Sequence, residues 1–158
     1  MVPIRTILHP TDFSYGARYA FDLASALAKD YGARLVVLHV HVPDGQAFGA
    51  MPPVPPMPVA GRSELLARLK GLQPLDPEVS VDYILQDGPV AAEILRLARE
   101  APCELIVLGT HGRTGLSRLL MGSVAEEVSR QASCPVLTVK APVTKAAPES
   151  SYAELPRT

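Results

Sequence analysis

The sequence predicts an α/β domain in which helices cover both faces of a parallel sheet. Strand-like and helix-like segments alternate along the chain, which is typical of this architecture. Leu35–Val40 is a nearly continuous apolar run, as expected of a strand that is covered on both faces. A second such run, Leu105–Leu108, leads into a glycine-rich segment that a helical pattern follows. The 158 residues are enough for one domain with a substantial core.

The first strand and the helix after it have clear patterns. Ile4–His9 is a short apolar strand, and Ser14–Tyr31 carries small or apolar residues at helical spacing. Ser14 or Asp12 can cap this helix at its N-terminus, and Gly32 can end it. The run Leu35–Val40 then forms the second strand.

The later elements continue the alternation. Ser63–Leu72 has a modest helical pattern, and Val79–Leu85 alternates in the way of a strand nearer the sheet edge. Pro89 suits the first turn of a helix that Asp87 or Gly88 would cap. The remaining predicted features are the apolar helix face Val90, Ile94, Leu97 and Ala101, the strand Leu105–Leu108, a helix over Val124–Ala132, and a last strand, Val136–Lys140.

Two segments fall outside this pattern, so we predict a single domain over residues 1–140 with one long loop and a tail. Pro43–Pro58 contains six prolines, which exclude a regular helix or a central strand. We expect a surface loop over residues 43–60, either a lid or an inert connection. The tail from Ala141 is rich in Ala, Pro, Ser and Thr and should be mobile unless a partner holds it.

Composition and charge exclude several classes of function. The net charge is −1, so no basic field points to nucleic acid or to an anionic membrane. The chain has no tryptophan and few aromatic residues, which argues against platforms for base stacking. No apolar stretch approaches membrane-spanning length, and the N-terminus lacks the apolar core of a signal peptide. We therefore expect a cytoplasmic protein without nucleic-acid or membrane partners.

The two cysteines, Cys103 and Cys134, have no metal-ligand spacing and are too few for a disulfide scaffold. We interpret both as small buried residues. Each lies just before a predicted strand. If those strands are parallel neighbours, the two sulfurs lie near the same end of the sheet, where a stress-induced disulfide could form.

The segment Gly109–Ser123 reads G-T-H-G-R-T-G-L-S-R-L-L-M-G-S and lies between a strand and a helix N-terminus. Backbone N–H groups are free there, and the helix dipole favours anions. Arg113 and Arg118 add positive charge, and glycine lets a phosphate approach the backbone. The spacing matches neither a Walker A loop nor the dinucleotide fingerprint. The alternative is a glycine-rich turn that only connects two elements.

Three segments should meet at the carboxyl ends of the strands, where open α/β sheets bind ligands. They are His9–Asp12, His39–His41 and Leu108–Gly109. Asp12 could accept hydrogen bonds from a ribose or an amine, hold a divalent cation through water, or cap the helix. His111 could touch a phosphate or be a solvated turn residue.

These residues resemble the universal stress protein family. The resemblance rests on Pro10–Ser14 (P-T-D-F-S), on the G-x-x-G-(nine residues)-G-S pattern, and on Cys134–Val139 (C-P-V-L-T-V). It covers about residues 3–140, and the glycine pattern is that of the nucleotide-binding members. The resemblance implies a five-stranded parallel sheet in the order 3-2-1-4-5, a homodimer through Val136–Lys140, and an ATP site.

The resemblance also implies roles for individual residues. Asp12 and the main chain of Val40 would contact the adenosine end, and the residues around Gly122 would hold the phosphates. ATP is the implied ligand, with Mg²⁺ or Mn²⁺ bound through its phosphates; no protein metal ligand and no catalytic residue is predicted. The predicted binding residues are Pro10, Thr11, Asp12, Val40, Leu108, Gly109, His111, Gly112, Arg113, Gly122, Ser123 and Val124.

The leading hypothesis is an ATP-binding stress-response protein whose nucleotide is a regulatory or stabilising ligand of a homodimer. One alternative is an enzyme with slow ATP hydrolysis or phosphoryl or adenylyl transfer, for which no convincing base is found. Another is a dimeric interaction module whose glycine loop is empty. Nucleotide that co-purifies with the protein would exclude the empty module, and a turnover assay with magnesium would identify an enzyme.

Overall fold

Strands and helices alternate along the part of the chain that the computed structural model describes, which is residues 3–43, 59–111 and 121–142. This alternation is the one that the sequence predicts. In chain order the elements are β1 (Thr6–Pro10), α1 (Tyr15–Tyr31), β2 (Arg34–His41), α2 (Val59–Lys70), β3 (Val81–Asp87), α3 (Val90–Glu100), β4 (Leu105–Gly109), α4 (Ser123–Gln131) and β5 (Val136–Val139).

These strands form a five-stranded sheet in the order β3-β2-β1-β4-β5, and every neighbouring pair is parallel. Leu8 of the central strand pairs with Val36 on one side and with Ile106 on the other. The predicted fold class and the strand order implied by the resemblance are therefore confirmed. The strand order reverses at β1, so the carboxyl ends of β1 and β4 border the crevice where such sheets bind ligands.

Alternate residues of the strands face two separate cores. Leu8, Leu38 and Ile106 pack with the apolar faces of α3 and α4, which lie on one side of the sheet. Ile7 and Val107 point to the opposite side and pack against α1 and α2. The period-two alternation of a strand buried on both faces accounts for this division.

Helix α1 begins and ends where the sequence predicts. Ser14 is its N-cap, and the Ser14 hydroxyl accepts the N–H of Ala17 at 3.2 Å. Asp12, the other candidate cap, instead accepts the N–H of Ser14 at 3.0 Å and so shapes the turn before the helix. Gly32 has a φ of 63°, and its N–H donates to the last carbonyls of α1. The left-handed backbone explains the glycine there.

Several predicted boundaries are wrong by a few residues, and one cap is wrong. Neither Asp87 nor Gly88 caps α3: the N-cap is Pro89, and no side chain caps α3 in the described part of the chain. A proline there has no N–H to satisfy, and its fixed φ suits the entry to a helix. The last strand ends at Val139 rather than Lys140, because the final β4–β5 pair joins Gly109 to Val139. The largest remaining differences are those of β1, α2 and β3 from the predicted Ile4–His9, Ser63–Leu72 and Val79–Leu85, and α2 includes residues 59 and 60 of the predicted loop. The bounds of β2, β4 and α4 differ from the predicted ones by one residue at one or both ends.

Two predicted segments lie largely outside the described residues. They are the proline-rich loop, of which residues 44–58 are not described, and the tail beyond Pro142. Within the described ranges, no helix is both long and apolar enough to cross a membrane.

Candidate functional site

A cavity of about 240 Å³ opens at the carboxyl ends of β1 and β4, between α1, α3 and α4. The β1–α1 turn forms one part of its wall, and the N-terminus of α4 forms another. The floor is apolar, because β2 contributes Leu38 and Val40 and α3 contributes Val90 and Ile94. An apolar floor beside a polar helix N-terminus suits a ligand with a flat organic part and an anionic part.

The anionic end of this cavity is the N-terminus of α4. Gly122 is the N-cap, and no side chain of the described residues caps the first amides of the helix. The Gly122 N–H donates to the Thr110 carbonyl at 2.7 Å, which ties the end of the glycine-rich segment to its beginning. Ser123 and Val124, which follow Gly122, line the cavity, and no side chain of the described residues caps their amides. An anion would satisfy them and complement the helix dipole.

Strand β4 and helix α1 approach each other closely beside the cavity, and glycines at two positions allow it. A Cβ on Gly109 would lie 3.1 Å from the carbonyl carbon and oxygen of Gly16 and 3.3 Å from the amide nitrogen of Ala17. A Cβ on Gly16 would lie 3.1 Å from the His111 carbonyl oxygen. A Cβ at Gly109 would therefore require the start of α1 to shift by a few tenths of an ångström.

The β1–α1 turn is held to strand β2 by two hydrogen bonds. The N–H of Thr11 donates to the Leu38 carbonyl at 2.8 Å, and the Thr11 carbonyl lies 2.8 Å from Nδ1 of His39. Phe13 has a φ of 63°, a conformation that is costly for a residue with a side chain. Its ring packs on His39, with 4.5 Å between the ring centroids, and this contact supports the strained turn. Asp12 is thereby fixed at the mouth of the cavity.

His9 is fully buried beneath this turn, at the end of β1 that faces the cavity. Its Nδ1 lies 2.8 Å from the Val107 carbonyl, so this nitrogen carries the proton and donates. The other ring nitrogen, Nε2, has no hydrogen-bond partner among the described residues. Burial lowers the pKa of His9 from 6.5 to about 4, against smaller opposing effects of the Val107 hydrogen bond and of Asp12. The ring is therefore neutral at pH 7 and serves as part of the core.

The family model of the universal stress proteins matches residues 3–140 of this sequence. The chain belongs to the universal stress protein family.

Individual relatives agree with this family assignment. Universal stress protein MJ0531 of Methanocaldococcus jannaschii is 35% identical over an alignment of 149 positions that covers 87% of this chain and 83% of the relative. The solved structure of UspA from Lactobacillus plantarum superposes with a TM-score of 0.71 at 23% identity, over 88% of this chain and 99% of that one. A universal stress protein from Archaeoglobus fulgidus in complex with dAMP superposes with a TM-score of 0.60 at 21% identity, over 89% of this chain and all of that one (100%).

The structure brings most of the predicted binding residues of this universal stress protein to one cavity. Gly112 and Arg113 lie outside the described residues, as does Arg118. The predicted residues that line the cavity are Pro10, Thr11, Asp12, Val40, Leu108, Gly109, His111, Gly122, Ser123 and Val124.

Sequence reasoning missed several wall residues. Val90 and Ile94 were assigned to the apolar face of α3, but that face also forms part of the cavity floor. Thr110 was overlooked, although its carbonyl accepts the Gly122 N–H. Gly16 does not line the cavity, but its close approach to His111 beside the cavity was overlooked as well, and its only signal was a glycine in the first turn of a helix. The described residues contain no group of three His, Cys, Asp or Glu side chains that could hold a metal ion.

Proposed function

We propose that this protein binds ATP in the cavity at the carboxyl ends of β1 and β4, and that the nucleotide is a regulatory or stabilising ligand. The protein would act in the cytoplasm as a stress-response protein of the nucleotide-binding subgroup. This proposal rests on one observation. Predicted binding residues that lie far apart in the sequence, such as Asp12, Val40 and Ser123, all line one cavity. The dAMP complex of the Archaeoglobus fulgidus relative supports an adenine nucleotide as the ligand.

The phosphates are assigned to the N-terminus of α4. The amides of Ser123 and Val124 border the cavity, and no side chain of the described residues caps them. The Gly122 N–H is already bonded to Thr110, so Gly122 contributes mainly the absence of a side chain. Mg²⁺ or Mn²⁺ would bind through the phosphates. We further propose that Gly112 and Arg113, which lie outside the described residues, contact the phosphates.

The adenosine end is assigned to the β1–α1 turn and the apolar floor. Pro10 and Thr11 would line the base and ribose together with Gly109, and the base would contact the main chain of Val40. The Asp12 carboxylate at the cavity mouth accepts the Ser14 N–H at 3.0 Å. A carboxylate held in this way is oriented to accept a hydrogen bond from a ribose hydroxyl. We therefore propose a binding role for Asp12 and no catalytic one.

A Gly122→Val variant tests the phosphate assignment. The branched side chain would occupy the space beside the first amides of α4, where a phosphate must approach. We expect at least a tenfold weaker affinity for ATP, about 1.4 kcal/mol or more, as measured by isothermal titration calorimetry. Ser129→Val is the matched control, because it adds the same side chain to an exposed position near the other end of α4. Equal ATP affinity of folded Gly122→Val and wild-type protein would contradict the assignment.

We also propose that the protein is a homodimer through β5. This strand lies at the edge of the sheet, and Leu137 on it is 37% exposed. An exposed apolar edge strand invites aggregation unless something covers it. A second copy can cover it by pairing the same strand antiparallel about a two-fold axis.

A Leu137→Asp variant tests the dimer. A carboxylate at position 137 would lie among the apolar side chains of the two paired β5 strands, where its charge would be desolvated, and we expect a shift to monomer or a loss of solubility. Light scattering at micromolar concentration measures the mass, and Ser133→Asp places the same charge at an exposed position just before the strand. Wild-type protein that is monomeric under these conditions would refute the proposed dimer.

A further inference from the structure

Cys103 and Cys134 lie side by side at the amino-terminal ends of β4 and β5, whereas the cavity lies at the carboxyl ends of the strands. Cys103 comes just before β4 and Cys134 just before β5, so the parallel pairing of these strands brings their two starts together. The sulfur atoms are 3.7 Å apart. Both cysteines are free thiols that pack with the core cluster of α3 and α4. A disulfide bond requires the sulfurs to approach by only about 1.7 Å more.

The backbone on both sides of this pair is held in place. Next to Cys103, the Glu104 carboxylate accepts the N–H groups of Arg5 and Thr6 at 3.1 and 2.8 Å, which ties the start of β4 to the start of β1. Next to Cys134, the Pro135 carbonyl accepts the N–H of Ile106 at 3.0 Å. Because both neighbours are fixed to the sheet, the two sulfurs stay close in the folded protein. This proximity gives each thiol a high effective concentration at the other.

The two thiols differ in their access to solvent. Cys103 is 8% exposed, whereas Cys134 is only partly buried. Burial raises the pKa of the Cys103 thiol to about 12, and the neighbouring Cys134 sulfur adds to this shift. Cys134 is therefore the sulfur that a dissolved oxidant meets first, and Cys103 is positioned behind it.

We propose that Cys103 and Cys134 are a redox modification site that forms a reversible intramolecular disulfide in the presence of a hydroperoxide. The Cys134 thiol attacks the peroxide O–O bond and becomes a sulfenic acid, while the peroxide is reduced to an alcohol, or to water if it is hydrogen peroxide. The Cys103 sulfur then attacks the Cys134 sulfur and the S–S bond forms, while the Cys103 thiol proton passes to the sulfenic oxygen, which leaves as water. Two thiols lose two electrons in total, and the peroxide takes them up. A small dithiol reverses the bond by exchange.

The disulfide would close the segment between residues 103 and 134. This segment contains β4, the glycine-rich segment and α4, so the cross-link joins its two ends at the side of the sheet away from the cavity. A disulfide that closes a segment of this length stabilises the protein mainly by restricting the unfolded chain. Neither cysteine lines the cavity, so the proposed disulfide does not require a bound nucleotide.

The proposal is tested by treating the purified protein with a peroxide. Mass spectrometry is then carried out on the intact protein and on its protease-cleaved peptides. We expect the loss of two hydrogens per chain, one cross-linked peptide pair holding Cys103 and Cys134, and a mass restored by dithiothreitol. The oxidised protein should also melt several degrees higher than the reduced protein. Oxidation that stops at a Cys134 sulfinic acid, or links two chains, would overturn the proposal.

Two serine variants separate the roles of the cysteines. In Cys103→Ser the Cys134 sulfenic acid has no second thiol, so dimedone should trap it at Cys134. In Cys134→Ser the buried Cys103 should stay reduced under the same treatment. Dimedone labelling of Cys103 in Cys134→Ser at the rate seen for Cys134 would contradict the proposed order of attack. If a serine variant fails to fold, the cross-linked peptide of the wild-type protein still decides the proposal.

Discussion

A Gly109→Val variant should have a free energy of unfolding about 2–3 kcal/mol lower than that of the wild-type protein. The reason is the contact between β4 and α1. A Cβ at this position already lies 3.1 Å from two backbone atoms of Gly16, and backbone cannot swing away as a side chain can. Valine adds two methyl groups beyond that Cβ, so α1 must move off the sheet together with the buried Phe21. Urea denaturation monitored by circular dichroism measures the loss.

Two substitutions of different size at Gly109 test this prediction more stringently than one. Gly109→Ala adds only the Cβ, so its unfolding free energy should fall between those of the wild type and Gly109→Val. Ser133→Val, at an exposed position before β5, is the control and should change stability by no more than about 0.5 kcal/mol. A Gly109→Val variant as stable as the control would show that β4 and α1 are not in the contact described.

The stability of the wild-type protein should depend on His9 between pH 6.5 and about pH 4. An unfolded chain binds a proton at His9 below pH 6.5, whereas the buried ring in the folded protein does so only below about pH 4. The unfolded state therefore binds more protons in this window, and the folded state loses stability as the pH falls. The full effect is about 3 kcal/mol, complete near pH 4, and it is absent above pH 6.5.

A His9→Asn variant isolates this effect. The asparagine side chain can still donate an N–H toward the Val107 carbonyl, but it does not titrate. Urea denaturation at pH 7.5 and at pH 4.5 should show a smaller loss of stability in the variant than in the wild type, even if the variant is less stable at both values. The contribution of the carboxylates to this loss of stability is the same in both proteins. The difference between the two losses therefore reports the contribution of His9. An equal loss in both proteins would show that His9 does not resist protonation.

The fold could be predicted because the pattern of apolar residues in each strand agrees with the place of that strand in the sheet. The run Leu35–Val40 is apolar except for His39, which favours a strand covered on both faces, and the strand found there lies in the interior of the sheet. Val79–Leu85 alternates, and the strand found there lies at the edge. Boundaries were less accurate, because the end of a strand depends on its neighbours: β5 stops where its pairing with β4 stops.

The candidate site could be predicted only in part. The glycine pattern and the strand ends located the cavity, because loops at the carboxyl ends of parallel strands converge whatever their sequence. The role of Gly16 could not be read from the sequence, since it depends on how closely α1 approaches His111 in space. The strained Phe13 was equally hidden, because a positive φ at a residue with a side chain is set by tertiary contacts such as its packing on His39.

Hydrogen–deuterium exchange with and without saturating ATP tests the central claim most directly, because it shows both whether the nucleotide binds and where. The proposed site predicts slower exchange of the backbone amides at the N-terminus of α4, in particular Ser123 and Val124, and in the β1–α1 turn around Thr11 and Asp12. Gly122→Val should lose this protection, and Ser129→Val should keep it. Exchange that ATP leaves unchanged at both ends of the cavity, or protection confined to the β5 edge, would contradict the account.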